Sequence, residues 1–221
     1  MVVIVDYQMG NLRSVQKAFE RVGTPATITD NPHEIIAAER LVLPGVGAFP
    51  DAMQELRQRD LIPVLKDYVA AGRPLLGICL GMQLLFDCSR EFGDHEGLGI
   101  IPGTVEPFEL PDPFKVPHMG WNLSRVPDTF PDRLVHPIFQ HLAQLPRYFY
   151  YVHSFYCCPR DIRCVALEAD YGGWFAGAVA QGNVVATQFH PEKSQSDGLE
   201  LLRRFASWTP QTLEPALTYR T

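Results

Sequence analysis

Short, uninterrupted apolar runs recur through the first third of the chain, and they constrain its fold more than any other feature. They lie at residues 2–5, 41–43 and 74–78, and the first is all β-branched. A further strand is predicted at 25–29. A run without polar alternation is typical of a strand buried on both faces, as in a parallel sheet. Between the runs lie stretches with helical spacing, at 12–22, 32–39 and 50–71, so strands and helices are predicted to alternate.

The helix boundaries follow from local signals. Asn11 can cap the helix at 12–22, and Gly23 closes it. Pro63 predicts a break within 50–71, giving one or two helices. A last amphipathic helix is expected at 196–208, with Leu199, Leu202 and Phe205 on one face.

The second half changes character. Short strand-like runs separated by Pro and Gly occupy 101–126 and 147–188, and Gln181-Gly182-Asn183 has the composition of a hairpin turn. We therefore predict an α/β fold: a flavodoxin-like, mostly parallel central sheet flanked by helices, with antiparallel strands added in the second half. No linker divides the chain, so we expect one domain over 1–209 and a C-terminal extension over 210–221.

Composition excludes several function classes. The 221 residues carry a net charge of −6 and no basic cluster, which argues against a nucleic-acid partner. The five cysteines are odd in number and irregularly spaced, unlike a disulfide framework. No stretch has the length and apolarity of a membrane span, and the N-terminus is a strand without a basic leader. We expect a cytoplasmic protein with no membrane association.

Cys79 is the leading candidate for chemistry. It stands in Gly77-Ile78-Cys79-Leu80-Gly81, between an apolar run and a helical segment. Gly-x-Cys-x-Gly at a strand-to-helix turn is the cysteine counterpart of the nucleophile elbow, and the helix N-terminus favours a thiolate. Most free cysteines are small core residues, so this motif needs support from elsewhere in the chain.

His190 and Glu192 supply that support. A cysteine nucleophile needs a proton acceptor, and His190 ends an apolar run before Pro191. In extended backbone, residues at i and i+2 point to one side, so Glu192 can orient the imidazole. No further ligands lie at a metal-binding spacing, and we predict neither metal nor cofactor.

A glycine-rich loop follows the third predicted strand, at Pro44-Gly45-Val46-Gly47. Alone it is an ordinary turn signal. Sites in open parallel sheets form beyond the carboxyl ends of the strands, where Cys79 also lies. There, glycine lets backbone N–H groups face an oxyanion, which acyl transfer requires.

Three motifs together resemble the class I, triad-type glutamine amidotransferases: Pro-Gly-Val-Gly at 44–47, Gly-Ile-Cys-Leu-Gly-Met-Gln at 77–83 and Phe-His-Pro-Glu at 189–192. The resemblance covers nearly the whole chain. Val-Pro-His-Met-Gly-Trp-Asn at 116–122, the opening 6–14, the segment 151–155 and Glu192-Lys193-Ser194-Gln195 resemble the glutaminase subunits of imidazole glycerol phosphate synthases. The Cys157-Cys158 pair and the tail beyond Trp208 depart from that pattern.

The resemblance implies roles for individual residues. Cys79, His190 and Glu192 would be the catalytic triad. The oxyanion would be held at Gly45, Val46 and Leu80. The glutamine site would contain Gly47, Gln83, His153, Ser154 and Phe155.

The resemblance also implies a partner. Ammonia released from L-glutamine would pass to a (β/α)₈ cyclase subunit in a heterodimer, for histidine biosynthesis. The cyclase would bind phosphoribulosyl formimino-AICAR and make imidazole glycerol phosphate and AICAR. Candidate contacts with it are Asn11, His118, Met119, Trp121, Asn122 and Lys193.

Three alternatives remain open from the sequence. One is the glutaminase subunit of another synthase, such as the one feeding pyridoxal phosphate synthesis. Another is a cysteine peptidase or hydrolase of the same fold. The third is a non-enzymatic subunit that kept the fold.

Overall fold

A nine-stranded mixed sheet organises the fold, as seen in a computed structural model that describes residues 1–128, 135–142 and 145–210. The strands, in chain order, are β1 Val2–Val5, β2 Ala26–Thr29, β3 Arg40–Gly45, β4 Leu75–Cys79, β5 Phe86–Ser89, β6 His95–Glu96, β7 Ile101–Pro107, β8 His118–Arg125, β9 Arg147–His153, β10 Phe155–Pro159, β11 Val165–Asp170, β12 Trp174–Gln181 and β13 Val184–Thr187. The large sheet has the order β2-β1-β3-β4-β13-β12-β11-β8-β9. Its first five strands are parallel and the rest antiparallel.

A second sheet has the order β10-β7-β5-β6 and shares no strand with the first. The helices are α1 Leu12–Arg21, α2 Pro32–Ala37, α3 Phe49–Gln58, α4 Leu61–Ala70, α5 Leu80–Leu84 and α6 Gln195–Ser207. Short 3₁₀ turns occur at Pro137–Leu142, Ile162–Cys164 and Pro191–Lys193. The alternation of strand and helix over 2–84 and the added antiparallel strands confirm the predicted α/β class.

Two hydrophobic cores lie on opposite faces of the large sheet, which explains the uninterrupted apolar strands. In β1, Val3 and Val5 pack into the core beneath α3 and α4, whereas Val2 and Ile4 pack into the core beneath α1 and α6. All four side chains are at most 3% exposed. A strand covered on both faces needs apolar residues at every position, because successive side chains point to opposite sides.

The predicted elements were right in kind, with differences in detail. Asn11 precedes α1, but its side chain makes no capping hydrogen bond. The break within 50–71 falls at Asp60, which has a left-handed φ of 54°, and not at Pro63. Pro63 lies in the first turn of α4, where its missing N–H costs nothing. The helix after Cys79 ends at Leu84, because the chain turns into β5 there.

The C-terminal helix buries a slightly different face. Leu201, Leu202 and Phe205 are fully buried, whereas Leu199 packs only partly against the core. The hairpin predicted at 181–183 is confirmed, with Gly182 at a φ of 58° joining β12 and β13. Residues 211–221 lie outside the described part of the chain, so the predicted extension stays a prediction. Among the described residues, no helix is long and apolar enough to cross a membrane.

Candidate active site

Cys79 occupies a strained turn at the carboxyl end of β4. Its φ is 55° and its ψ is −112°, a conformation that non-glycine residues rarely adopt. The flanking glycines allow close approach: a Cβ on Gly81 would overlap the Leu43 carbonyl of β3, and one on Gly77 would lie 3.0 Å from the Ala186 Cβ. The surrounding strands therefore hold the turn, which carries the sulfur to the first turn of α5.

His190 and Glu192 form a buried pair at the end of β13. The His190 Nδ1 and the Glu192 Oε1 are 2.8 Å apart, and the two side chains are 3% and 2% exposed. The backbone around the imidazole is fixed as well. The His190 N–H donates to the Tyr150 carbonyl at 2.9 Å, and the Ser194 hydroxyl donates to the His190 carbonyl at 2.6 Å.

The electrostatics favour a protonated imidazole. Burial by itself lowers the pKa of His190, but the Cys79 thiolate and the hydrogen-bonded Glu192 carboxylate outweigh it and raise that pKa to about 10. The Nε2 atom of His190 is buried and makes no hydrogen bond of normal geometry with any described residue. Cys79 is nonetheless close enough for a charge on its sulfur to raise the pKa of the His190 ring. The site can therefore hold a thiolate and an imidazolium side by side.

A cavity of about 360 Å³ opens at the Cys79 sulfur, within the size range of small-molecule sites. It brings together eight of the predicted residues: Val46, Gly47, Cys79, Leu80, Gln83, His153, Ser154 and Phe155. Its wall also includes Glu91, Pro117 and Val152, which the sequence analysis did not single out. Burial raises the pKa of Glu91, whose carboxylate accepts a hydrogen bond from the Phe49 N–H at 2.8 Å.

The glycine-rich loop is held from below by the segment after β1. The buried Tyr7 hydroxyl donates to the Pro44 carbonyl at 2.7 Å. The Val46 N–H donates to the Met9 carbonyl at 3.1 Å, and Gly47 has a φ of 99°. In this conformation the Val46 amide is therefore occupied and is not available to an oxyanion.

Two of the predicted histidines form a buried, neutral pair. Burial lowers the pKa of His118 to about 4 and that of His153 to about 3. The His153 Nδ1 lies 2.8 Å from the Phe155 carbonyl, which can only accept, so this nitrogen carries the proton. The His153 Nε2 then accepts from the His118 Nδ1 at 2.8 Å, and the Asn122 amide donates to the His118 Nε2 at 3.3 Å.

The residues predicted to contact the cyclase differ in their exposure. Asn11, Met119, Trp121 and Lys193 are exposed, and Trp121 packs edge-on against Tyr150 with ring centroids 6.2 Å apart. His118, in contrast, is 3% exposed, so its side chain does not reach the surface.

Two buried polar residues beside the cavity were missed. Gln188 places its Nε2 3.9 Å from the Cys79 sulfur, and its position two residues before His190 in extended backbone was an available signal. Glu91 gave no such signal, because it reaches the cavity through the packing of α3 against the loop after β5.

The fold and this cysteine site define a class of protein. A family model described as "Glutamine amidotransferase class-I" matches residues 3–207. The chain also shares its fold with solved structures below 25% identity. One, described as a glutamine amidotransferase, has a TM-score of 0.70 at 20% identity and covers 93% of this chain and 97% of that one. A chain of PurLQS from Thermotoga maritima has a TM-score of 0.68 at 17% identity, over 92% and 96% of the two chains.

Relatives in sequence identify a narrower family within this class. The imidazole glycerol phosphate synthase subunit HisH of Rhodopirellula baltica is 57% identical over 94% of this chain and 97% of its own length. The protein of the same name from Salinibacter ruber is 47% identical, with both chains covered completely. The chain therefore belongs to the class-I glutamine amidotransferases and, within them, to the HisH family.

Proposed function

We propose that this chain hydrolyses L-glutamine and delivers the ammonia to a cyclase subunit that makes imidazole glycerol phosphate and AICAR in histidine biosynthesis. The observation that carries the proposal is the strained Cys79 turn, which opens into a cavity beside the buried His190–Glu192 pair. Kinship with HisH subunits supports the choice of reaction, because the relatives match over nearly their whole length.

In the proposed mechanism, the Cys79 thiolate attacks the side-chain amide carbon of glutamine and forms a carbon–sulfur bond. The resulting oxyanion collapses, the carbon–nitrogen bond breaks, and His190 gives its proton to the departing ammonia. Neutral His190 then takes a proton from water, which attacks the glutamyl thioester and releases glutamate and the thiolate. Glu192 keeps the imidazole oriented and stabilises its charged form.

Substrate recognition follows from the polarity of the cavity wall. The Gln83 amide nitrogen is used internally, donating to the Phe155 carbonyl at 3.0 Å and to the Gln188 Oε1 at 3.1 Å. Its oxygen is therefore the group left to serve a ligand. With the Glu91 carboxylate on the same wall, the cavity presents acceptors that suit the α-ammonium group of glutamine.

The second oxyanion donor requires a rearrangement. The Leu80 N–H lies in the first turn of α5, but the Val46 N–H is bound to Met9. We propose that the Gly45-Val46 peptide turns when the liganded cyclase binds, so that glutamine is hydrolysed only when the ammonia can be used.

The partner is proposed to be a (β/α)₈ barrel that docks beside β8, over Met119 and Trp121, with Asn11 and Lys193 as further contacts. Ammonia is protonated and lost in water, so a covered route between the two sites favours transfer. We place the pair in the cytoplasm, where free thiols such as the five cysteines stay reduced. Residues 1–209 would form the catalytic domain.

The proposal is tested by co-purifying the chain with a candidate cyclase and assaying glutamine-dependent formation of imidazole glycerol phosphate. Cys79→Ala should abolish glutamine-dependent synthesis yet leave synthesis from added ammonium salts intact, because only the glutaminase step is lost. Cys88→Ala is the matched control, since Cys88 is also a free thiol. Glutamine turnover that survives Cys79→Ala would refute the proposed nucleophile.

A further inference from the structure

The side chain of Gln188 is a buried amide aimed at the nucleophile. It is 0% exposed, and its Nε2 lies 3.9 Å from the Cys79 sulfur. The sulfur also lies 3.8 Å from the Val152 carbonyl, which can only accept a hydrogen bond. When Cys79 is a thiol, its S–H can donate to that carbonyl. When it is a thiolate, the same carbonyl oxygen repels it. The Gln188 amide is then a neutral group placed to donate a hydrogen bond to the sulfur.

Neighbouring groups fix which end of the Gln188 amide faces the sulfur. The Phe155 carbonyl accepts from the Gln83 Nε2 at 3.0 Å, so the nitrogen of Gln83 must point to it. The second N–H of that nitrogen donates to the Gln188 Oε1 at 3.1 Å. With its oxygen held by Gln83, Gln188 is left to present its N–H₂ group to Cys79.

The Phe155 carbonyl also ends a longer chain of hydrogen bonds, in which every donor points toward that carbonyl. It also accepts from the neutral His153, which accepts from His118, which in turn accepts from Asn122. The Asn122 amide donates in addition to the Asp170 carbonyl at 2.9 Å. Because the Gln83 nitrogen is held by the Phe155 carbonyl, reversing the Gln188 amide would bring two N–H₂ donor groups face to face in a buried site.

We propose that Gln188 is a further catalytic residue, whose side-chain N–H donates to the Cys79 thiolate and holds the sulfur in line for attack on glutamine. This inference rests on the proposed glutaminase function. A hydrogen bond to a charged acceptor is stronger than one between neutral groups, and a buried site enhances it. His190 then supplies the proton for the leaving group, while Gln188 stabilises the nucleophile without exchanging a proton.

The test uses Gln188→Met, which keeps the length of the side chain and removes the donor. Gln181→Met is the matched control, because Gln181 is exposed on the β12–β13 turn. The deciding readout is the rate at which iodoacetamide alkylates Cys79 at neutral pH, followed on the Cys79 peptide by mass spectrometry. We expect Gln188→Met to slow alkylation roughly tenfold, and glutaminase kcat by a similar factor with little change in KM.

The direction of the effect separates catalysis from packing. A purely structural role would loosen the pocket, expose the thiol and speed alkylation, whereas a lost donor to the thiolate slows it. Alkylation of Gln188→Met at or above the rate of Gln181→Met would overturn the inference. Because alkylation needs no glutamine, it decides the role of Gln188 even if the wild-type chain has no glutaminase activity, an outcome that would refute the proposed function separately.

A second measurement does not depend on the folding of the Gln188 variant. The side-chain amide resonances of Gln188 can be followed by NMR in the wild-type chain and in Cys79→Ala. We expect one Gln188 amide proton to shift when the sulfur is removed and the Gln181 amide to stay in place. Unchanged Gln188 resonances would contradict the proposed bond.

Discussion

At the residue scale, the fold brings Cys79 to the His190–Glu192 pair, which lies more than a hundred residues further along the chain. Cys79 is carried by a backbone conformation that costs free energy, and His190 is buried where a charge is unfavourable. Each compensates the other, because thiolate and imidazolium attract strongly in a site screened from water. Glu192 contributes the second negative charge through its 2.8 Å bond to Nδ1.

This coupling gives a prediction for His190. Burial lowers the pKa of His190, and the Cys79 thiolate is the largest influence that opposes burial and raises that pKa to about 10. Replacing the sulfur with a neutral hydroxyl, in Cys79→Ser, should therefore lower the pKa of His190 by at least about one unit. NMR titration of the histidine ring protons measures the change. The same titration in Cys88→Ser should match wild type, and an unaltered His190 curve in Cys79→Ser would show that the two groups are not coupled.

At the element scale, the contact of α5 with β3 and β4 positions the nucleophile. Gly81 lets the first turn of α5 lie directly on the Leu43 carbonyl of β3. We predict that Gly81→Ala destabilises the fold by about 3 kcal/mol or more, because the neighbour that would have to move is backbone. Chemical denaturation measures it. Gly173→Ala is the control, since a Cβ there meets nothing within 4 Å, and equal stabilities of the two variants would contradict the proposed packing.

The loop from Gly45 to Gly47 gives the second prediction at this scale. Turning the Val46 N–H from the Met9 carbonyl toward the cavity would supply a second oxyanion donor. One such donor is commonly worth on the order of a hundredfold in kcat. Glutaminase turnover should rise by about that factor when the cyclase and its ligand are added together. Equal rates with and without the liganded partner would refute control through this loop.

The sequence predicted most of these elements because their signals are local. The β-branched run at Val2–Val5 and the strand-to-helix glycines around Cys79 depend only on neighbouring residues. The end of α5 at Leu84 and the second sheet depend on strand pairing that no local signal reports, such as β5 with β7 and the distant β10 with β7. The same limit applies to the cavity. His190 and Glu192 are two residues apart and could be paired from sequence, whereas Glu91 and the Val46–Met9 bond arise only from tertiary packing.

At the scale of the whole molecule, β8 carries a row of exposed apolar side chains. Met119, Trp121 and Leu123 alternate along the strand and are 62%, 46% and 39% exposed. They lie on one side of the strand, since residues at i and i+2 share a face. Tyr150 of β9 lies beside Trp121, and the Lys193 ammonium lies 5.7 Å from the Tyr150 ring centroid. The Tyr150 carbonyl also accepts a hydrogen bond from the His190 N–H. The exposed apolar surface therefore lies close to His190.

A cyclase that docks on this surface would cover Trp121, and that gives the final prediction. Trp121→Ala should weaken binding of the cyclase by roughly thirtyfold, as expected for a central interface tryptophan, while the melting temperature stays near wild type because the ring is half exposed. Trp174→Ala is the matched control: Trp174 is 55% exposed on the same sheet, but it stacks on the Arg125 guanidinium at 4.2 Å and belongs to a different surface. Titration calorimetry with the purified cyclase measures both variants. If both bind as tightly as wild type, the partner does not dock over β8, whereas equal weakening by the two substitutions would place the interface across the whole antiparallel half of the sheet.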